Sequence, residues 1–187
     1  VLLHLGPGLG NGLANLHNAR RAATPLVNIV GDHATYHLQY DAPLTSDIVG
    51  FARPVSSWVH ESKSALTVAG DAARAVQAAT AAPGGVATLI LPADTAWNEA
   101  DRASPKLPDF GPAPVSAQAI DDVAKLLGNG KKTAILLRGT ALRGAGLEAA
   151  GRVNAKTGAR LLCDTFAPQI EHGAGRVAVE RIPYFAE

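Results

Sequence analysis

The chain has 187 residues, 47% of them hydrophobic and 18% charged, with 19 glycines and 12 prolines. That length suits one large domain or two small ones, and the composition excludes disordered, collagen-like, coiled-coil and disulfide-stapled architectures. A formal net charge of +1 from 17 basic and 16 acidic side chains leaves no electrostatic footprint for nucleic acid as the main ligand. Small molecules and protein partners remain. The single cysteine, Cys163, cannot pair within the chain, which suits a reducing, cytoplasmic compartment. It reads as a small buried hydrophobe at a strand end rather than a reactive thiol. No apolar run approaches the roughly 18 residues that span a bilayer, and the N-terminus lacks the charged n-region of a signal peptide, so a soluble protein without a membrane partner is expected.

Val1 to Leu5 reads as a strand running at full hydrophobicity into the glycine loop Gly6 to Gly12, and a helical stretch follows to Thr24, ending before Pro25. A chain that opens in this way and contains no methionine is expected to be part of a longer protein. Leu26 to Val30, β-branched and bounded by Pro25 and Gly31, predicts a buried parallel strand. The polar segment from Gly31 to Asp47 predicts a long irregular connection. Strand character returns at Val55 to Val59. The alanine-rich stretch from Ser64 to Ala82 predicts a helix with Leu66, Ala69, Ala73, Val76 and Ala79 on one face. Val86 to Leu91 predicts another buried strand, closed by Pro92. The alternation gives an α/β fold class, with parallel sheets and helices on both faces, in two partial domains.

Prolines accumulate from Ala93 to Pro114 and apolar periodicity is lost, which predicts a linker over 101–115 between a domain at 1–100 and a second at 116–187. In the second, Ser116 caps a predicted helix through Leu127, Thr133 to Leu137 is a strand, Gly139 to Gly146 is a glycine loop, Leu147 to Thr157 is a helix, and Ala159 to Cys163 is a strand. Only two strands are read here, too few to stand alone without open edges, so marginal stability is expected of the isolated chain.

The run Gly6-Pro7-Gly8-Leu9-Gly10-Asn11-Gly12 fails the GxGxxG dinucleotide fingerprint in both registers, although Asp32 lies about 20 residues further on at a strand end, as that fingerprint would want. A ligand-approaching loop and a purely structural turn both remain open. The second loop has the Gly-x-x-x-x-Gly spacing of a P-loop without its Lys-Ser/Thr pair. Gly144 and Gly146 therefore read as glycines that let a helix pack closely. His33 and His37 have the spacing of a helical metal pair, but their segment does not read as a helix and no third ligand follows, so no metal site is predicted. His4 ends a strand just before the glycine loop, where open α/β sheets gather ligands; a hydrogen-bonded core histidine and a site residue are equally open readings.

The stretch HLGPGLGNGLANLHNARRAATPLVNIVGD resembles the strand, Gly-Pro-Gly-x-x-Asn turn, helix and strand of the pyrimidine-binding domain in the thiamine diphosphate-dependent decarboxylase and carboligase superfamily, the group of acetolactate synthase and benzoylformate decarboxylase. PGGVATLILPAD is similar to the closing strand of that domain, with Gly85 in place of a second proline, and KKTAILLRGTALRGAGLEAAGRVNAKTGARLLCDT resembles the start of the central domain. The resemblance implies an enzyme acting on a 2-oxo acid or acyl donor by decarboxylation or carbon–carbon bond transfer, with thiamine diphosphate and Mg2+. It implies that Pro7, Gly8 and Asn11 approach the cofactor's pyrimidine side, that His4 takes part in proton transfer, and that Asp32 and His33, in place of a glutamine, line the substrate pocket. The family's activating glutamate would lie upstream of Val1, and its magnesium-binding motif in a third domain, so the chain alone is expected to be inactive. A homodimer or homotetramer is implied, and FAD or ADP in the central domain is left open. The alternative from another class is a non-catalytic nucleotide-binding or interaction module.

Overall fold

The computed structural model describes all residues except 102, 105, 109, 110, 112, 186 and 187. The chain divides into two compact units, Val1–Pro112 and Ala113–Glu187. The first is built on four parallel strands in the order β1-β2-β4-β3, namely β1 (Leu2–His4), β2 (Leu26–Asp32), β3 (Trp58–Glu61) and β4 (Val86–Pro92). Side chains alternate across a strand, so β2 and β4 feed two cores. Val30, Val86 and Ile90 pack with Leu9 and Leu16 of α1 (Leu5–Arg21) and with Ile48 and Ala52 of α2 (Ile48–Ala52). On the opposite face, Ala87 and Leu89 pack with Ala75 and Ala79 of α3 (Ala65–Thr80), whose first turn is capped by the Ser64 hydroxyl accepting from Leu66 N–H at 3.2 Å. The expected α/β class, with parallel strands and helices on both faces, is borne out.

Several local expectations are corrected. The run Gly6 to Gly12 is not a loop: it forms the first two turns of α1, which follows β1 without a connection. Pro7 is tolerated there because a first-turn residue needs no N–H. The helical cost of glycine, about 1 kcal/mol against alanine, is met by close packing. A Cβ on Gly6 would overlap the Ser46 side chain, and one on Gly12 would lie 2.8 Å from Leu3 Cδ1. Pro7, Gly8 and Asn11 therefore stand on a helix rather than in a turn. The strand β1 is an edge with Leu2 exposed, and β3 starts at Trp58 rather than Val55. Part of the connection after β2 is ordered as a 3-10 turn (Leu38–Tyr40), and α2 and a further 3-10 turn (Arg53–Val55) follow it. The face of α3 is rotated from the expected one: Ala65, Asp71, Ala75 and Ala79 turn inward while Leu66 and Val76 are exposed. A short helix, α4 (Ala93–Trp97), follows β4 directly.

The second unit contains α5 (Ala117–Leu127), β5 (Ala134–Leu137), α6 (Gly144–Thr157), β6 (Arg160–Cys163) and β7 (Glu180–Arg181). The Ser116 hydroxyl accepts from Ala119 N–H at 3.2 Å, the expected cap. Its sheet has three parallel strands, β5-β6-β7, rather than the two read from sequence. Leu137, Leu142, Leu147, Leu161 and Cys163 are buried together in its core. Cys163 is fully buried at the end of β6, and burial pushes its thiol pKa up, as suits a structural residue. No described helix is long and apolar enough to cross a membrane.

Candidate functional site at the carboxyl edge of the first sheet

Parallel register brings the carboxyl ends of the four strands to one edge, with His4 opposite Gly31, Asp32 opposite Pro92 and Glu61 opposite Ile90. His4 is exposed, so the reading as a core histidine is withdrawn. Its ring rests over Gly31, where a Cβ would lie 3.6 Å from Nδ1, and a Cβ on Gly8 would lie 3.6 Å from the His4 Cβ. The packing thus places His4, Gly8 and Gly31 together. The junction itself is tight: Leu5 has φ +56°, an uncommon conformation for a bulky side chain. Such outliers concentrate at functional sites.

The first turn of α1 carries no acidic side chain, and His4, at its N-cap, makes no capping hydrogen bond. Backbone N–H groups at a helix start have no intrahelical partner, and the helix dipole makes that end attractive to electron-rich groups. Pro7 and Asn11, four residues apart and on one helix face, are exposed beside these amides, and Gly8 is half-buried.

Asp32 and His33 follow at the end of β2. The His33 N–H donates to Asp32 Oδ1 at 2.7 Å. Burial nevertheless pushes the Asp32 carboxyl above its ordinary pKa; that hydrogen bond and the His33 ring oppose the rise, and the Glu61 charge adds to it. His33 Nε2 is buried without a hydrogen-bond partner. Such a group is costly to leave unmet. His33 and His37 lie with ring centroids 5.5 Å apart on a non-helical segment, and among the described residues no three His, Cys, Asp or Glu side chains gather as metal ligands. The described hydrogen bonds do not join His4 to Asp32 or His33.

A pair that the sequence reading missed holds this segment in place. Thr35 donates to the Asp94 carboxylate from its N–H at 2.9 Å and from Oγ1 at 2.5 Å, and these bonds hold Asp94 below the usual carboxylate range. Asp94 was visible only as the last residue of the LPAD stretch. Away from the edge, Asp71 on α3 is buried to 1% exposure. Its carboxylate accepts from Ser62 Oγ at 2.9 Å, Thr67 Oγ1 at 3.1 Å and Arg74 at 2.8 Å, and His60 Nε2 lies 3.1 Å away. Burial raises its pKa, but these four partners together outweigh burial and hold the carboxyl below its ordinary value.

Residues 1–51 match the N-terminal TPP binding domain of the thiamine pyrophosphate enzymes. The whole chain is 53% identical over 188 aligned residues to "Putative acetolactate synthase large subunit IlvX" of Mycobacterium tuberculosis. The chain belongs to the thiamine pyrophosphate enzyme family. It spans 36% of the length of that relative. A second relative in this family, the acetolactate synthase large subunit IlvG of Mycobacterium tuberculosis, is 31% identical over 139 residues, which cover 72% of this chain and 25% of that protein. Among solved structures, the thiamine diphosphate-dependent 4-hydroxybenzoylformate decarboxylase of Rhodococcus jostii RHA1 superposes with a TM-score of 0.76 at 21% identity, over 88% of this chain and 32% of that one. At that identity the likeness establishes the fold of the thiamine pyrophosphate enzymes, and chemistry has to be argued from the residues.

Proposed function

We propose that this chain supplies one wall of a thiamine diphosphate site in an acetolactate synthase-like enzyme that decarboxylates a 2-oxo acid or transfers its acyl carbon. The observation that carries the proposal is unmet hydrogen-bonding capacity gathered at one sheet edge: the uncapped start of α1 and the buried, orphaned His33 Nε2. These groups fit a polar heteroaromatic ring and a small keto acid. When bound, thiamine diphosphate supplies a nucleophilic carbon and an electron sink for the carbonyl carbon of the substrate. Pro7, Gly8 and Asn11 present a close-approach helix face to the pyrimidine ring, with the Asn11 amide able both to donate and to accept. His4 holds or delivers a proton at an imidazole nitrogen. Asp32, its carboxyl pKa raised by burial, and His33 bound the substrate end.

In this reading magnesium and the diphosphate are held by a further domain, as the family resemblance implies. The proposal includes a cytoplasmic homodimer or homotetramer, in which a second subunit completes each site. Calorimetry on the full-length protein with thiamine diphosphate and Mg2+ tests the reading. Saturable binding that weakens on Asn11→Ala is expected. No binding at millimolar cofactor refutes it, and favours the interaction-module alternative.

A further inference from the structure

The family resemblance leaves open a nucleotide cofactor, FAD or ADP, in the second unit, and the Gly139–Gly146 loop is where its diphosphate would meet a helix start. The residues there do not fit that ligand. The loop is a 3-10 turn (Gly139–Leu142) leading into α6, and the first α6 amide, Gly144 N–H, donates to Glu171 Oε2 at 2.9 Å. Arg176 Nε donates to the same oxygen at 3.0 Å. The strap bearing Glu171 is tied down twice more across the loop. Its own N–H donates to the Leu142 carbonyl at 3.1 Å, and Arg143 Nη1 donates to Gln169 Oε1 at 2.9 Å.

We propose that the second unit is closed to the diphosphate of a nucleotide at this loop by its own Glu171, whose carboxylate stands where a phosphate would. Two guanidinium groups that could have received a diphosphate, those of Arg143 and Arg176, are already engaged by the strap. A phosphate brought to Gly144 N–H would meet the Glu171 charge, a repulsion that desolvation makes worse. Gly146 leaves no room behind the loop either: a Cβ there would overlap the Thr140 carbonyl and lie 2.9 Å from Ala141 Cα, so its lack of a side chain is used to seat α6 against the turn. The glycine spacing that resembles a phosphate loop is thus satisfied by packing and by an internal anion. The inference is independent of the thiamine diphosphate site in the first unit.

Nuclear magnetic resonance on the nitrogen-15-labelled chain tests it through the Gly144 amide. At neutral pH, millimolar ADP and inorganic pyrophosphate should leave that resonance unmoved in the wild type. On acidification it should shift together with the Glu171 carboxyl carbon, since the two are hydrogen-bonded. In Glu171→Ala the amide is freed, and pyrophosphate should now move it. An ADP-dependent shift of Gly144 in the wild type overturns the proposal. So does a Gly144 amide that ignores the titration of Glu171, a test that needs no variant to fold. A folded Glu171→Ala chain whose Gly144 stays blind to pyrophosphate also overturns it.

Discussion

Replacing His4 by alanine in the full-length enzyme separates a chemical role from a structural one, because the structure limits what the side chain contributes to stability. His4 is exposed at the end of an edge strand, it makes no capping bond to α1, and its ring touches the flat surface over Gly31. Surface substitutions of that kind shift stability by about 0.5 kcal/mol or less. General acid–base help, in contrast, is worth roughly 100-fold to 10,000-fold in rate. At 1.36 kcal/mol per tenfold, that range is about 2.7 to 5.4 kcal/mol on the barrier. His4→Ala should therefore lower turnover within that range while the melting temperature and thiamine diphosphate affinity stay nearly constant. The three quantities are measured on one preparation, by steady-state kinetics on a 2-oxo acid, titration calorimetry and thermal denaturation. Unchanged turnover removes His4 from the chemistry, and a loss of cofactor affinity in proportion to activity reassigns it to binding.

Four further outcomes concern the packing within the two units. Asp71→Ala leaves Ser62, Thr67, His60 and Arg74 without their common acceptor, and should cost about 1–3 kcal/mol in denaturant unfolding; an unchanged stability contradicts the buried cluster. Because the folded Asp71 carboxyl lies below its unfolded pKa, its stabilisation is complete above the unfolded value and is lost as pH falls through the folded one, so Asp71→Asn should flatten that acid limb of stability against pH. Gly146→Ala should destabilise the second unit by about 1–3 kcal/mol, because overlap with the Thr140 carbonyl exceeds the helix propensity gained; a stabilised variant would show that α6 can slide. Cys163, buried with its thiol raised by burial, should react with a thiol reagent only at the rate of unfolding; fast labelling of the folded chain would contradict its place in the core.

The strands were legible where composition and punctuation agree. Leu26 to Val30 and Val86 to Leu91 are apolar runs fenced by Pro25, Gly31, Gly85 and Pro92, and such runs suit strands buried on both faces. The extent of α3 was legible to within two residues from the alanine-rich run Ser64 to Ala82, but its buried face was not. A periodic reading places Leu66 and Val76 inside, whereas they are 68% and 53% exposed, and the position taken inward is a carboxylate. Burying Asp71 is favourable only through partners on β3, on the segment after it and on its own helix; they lie close in sequence, between His60 and Arg74, but helical periodicity does not show that the chain folds His60 and Ser62 back onto α3. The two-residue strand β7 has no periodicity to read, since it exists only as a partner for Leu162 and Cys163. The glycines of Gly6 to Gly12 predicted a loop by propensity, and tertiary packing overrode it.

At the site, the strand ends were legible because a parallel sheet gathers them by topology, which singled out His4, whereas Asp32 and His33 as pocket residues came from the family resemblance. The Thr35–Asp94 tie was not, since it joins residues 59 apart through a segment with no repeating pattern. The other illegible feature is the left-handed Leu5, and it explains how the edge is built. A conformation of that kind costs on the order of 1–3 kcal/mol for a non-glycine residue. What it achieves is the removal of the loop: the chain turns from strand to helix within one residue, so His4 stays against Gly8 and beside the first free amides of α1. A connection of even three ordinary residues could carry the helix start away by about 10 Å at full extension. The strain at Leu5 is therefore the geometric condition for the His4 side chain and the start of α1 to stand together at one edge of the sheet.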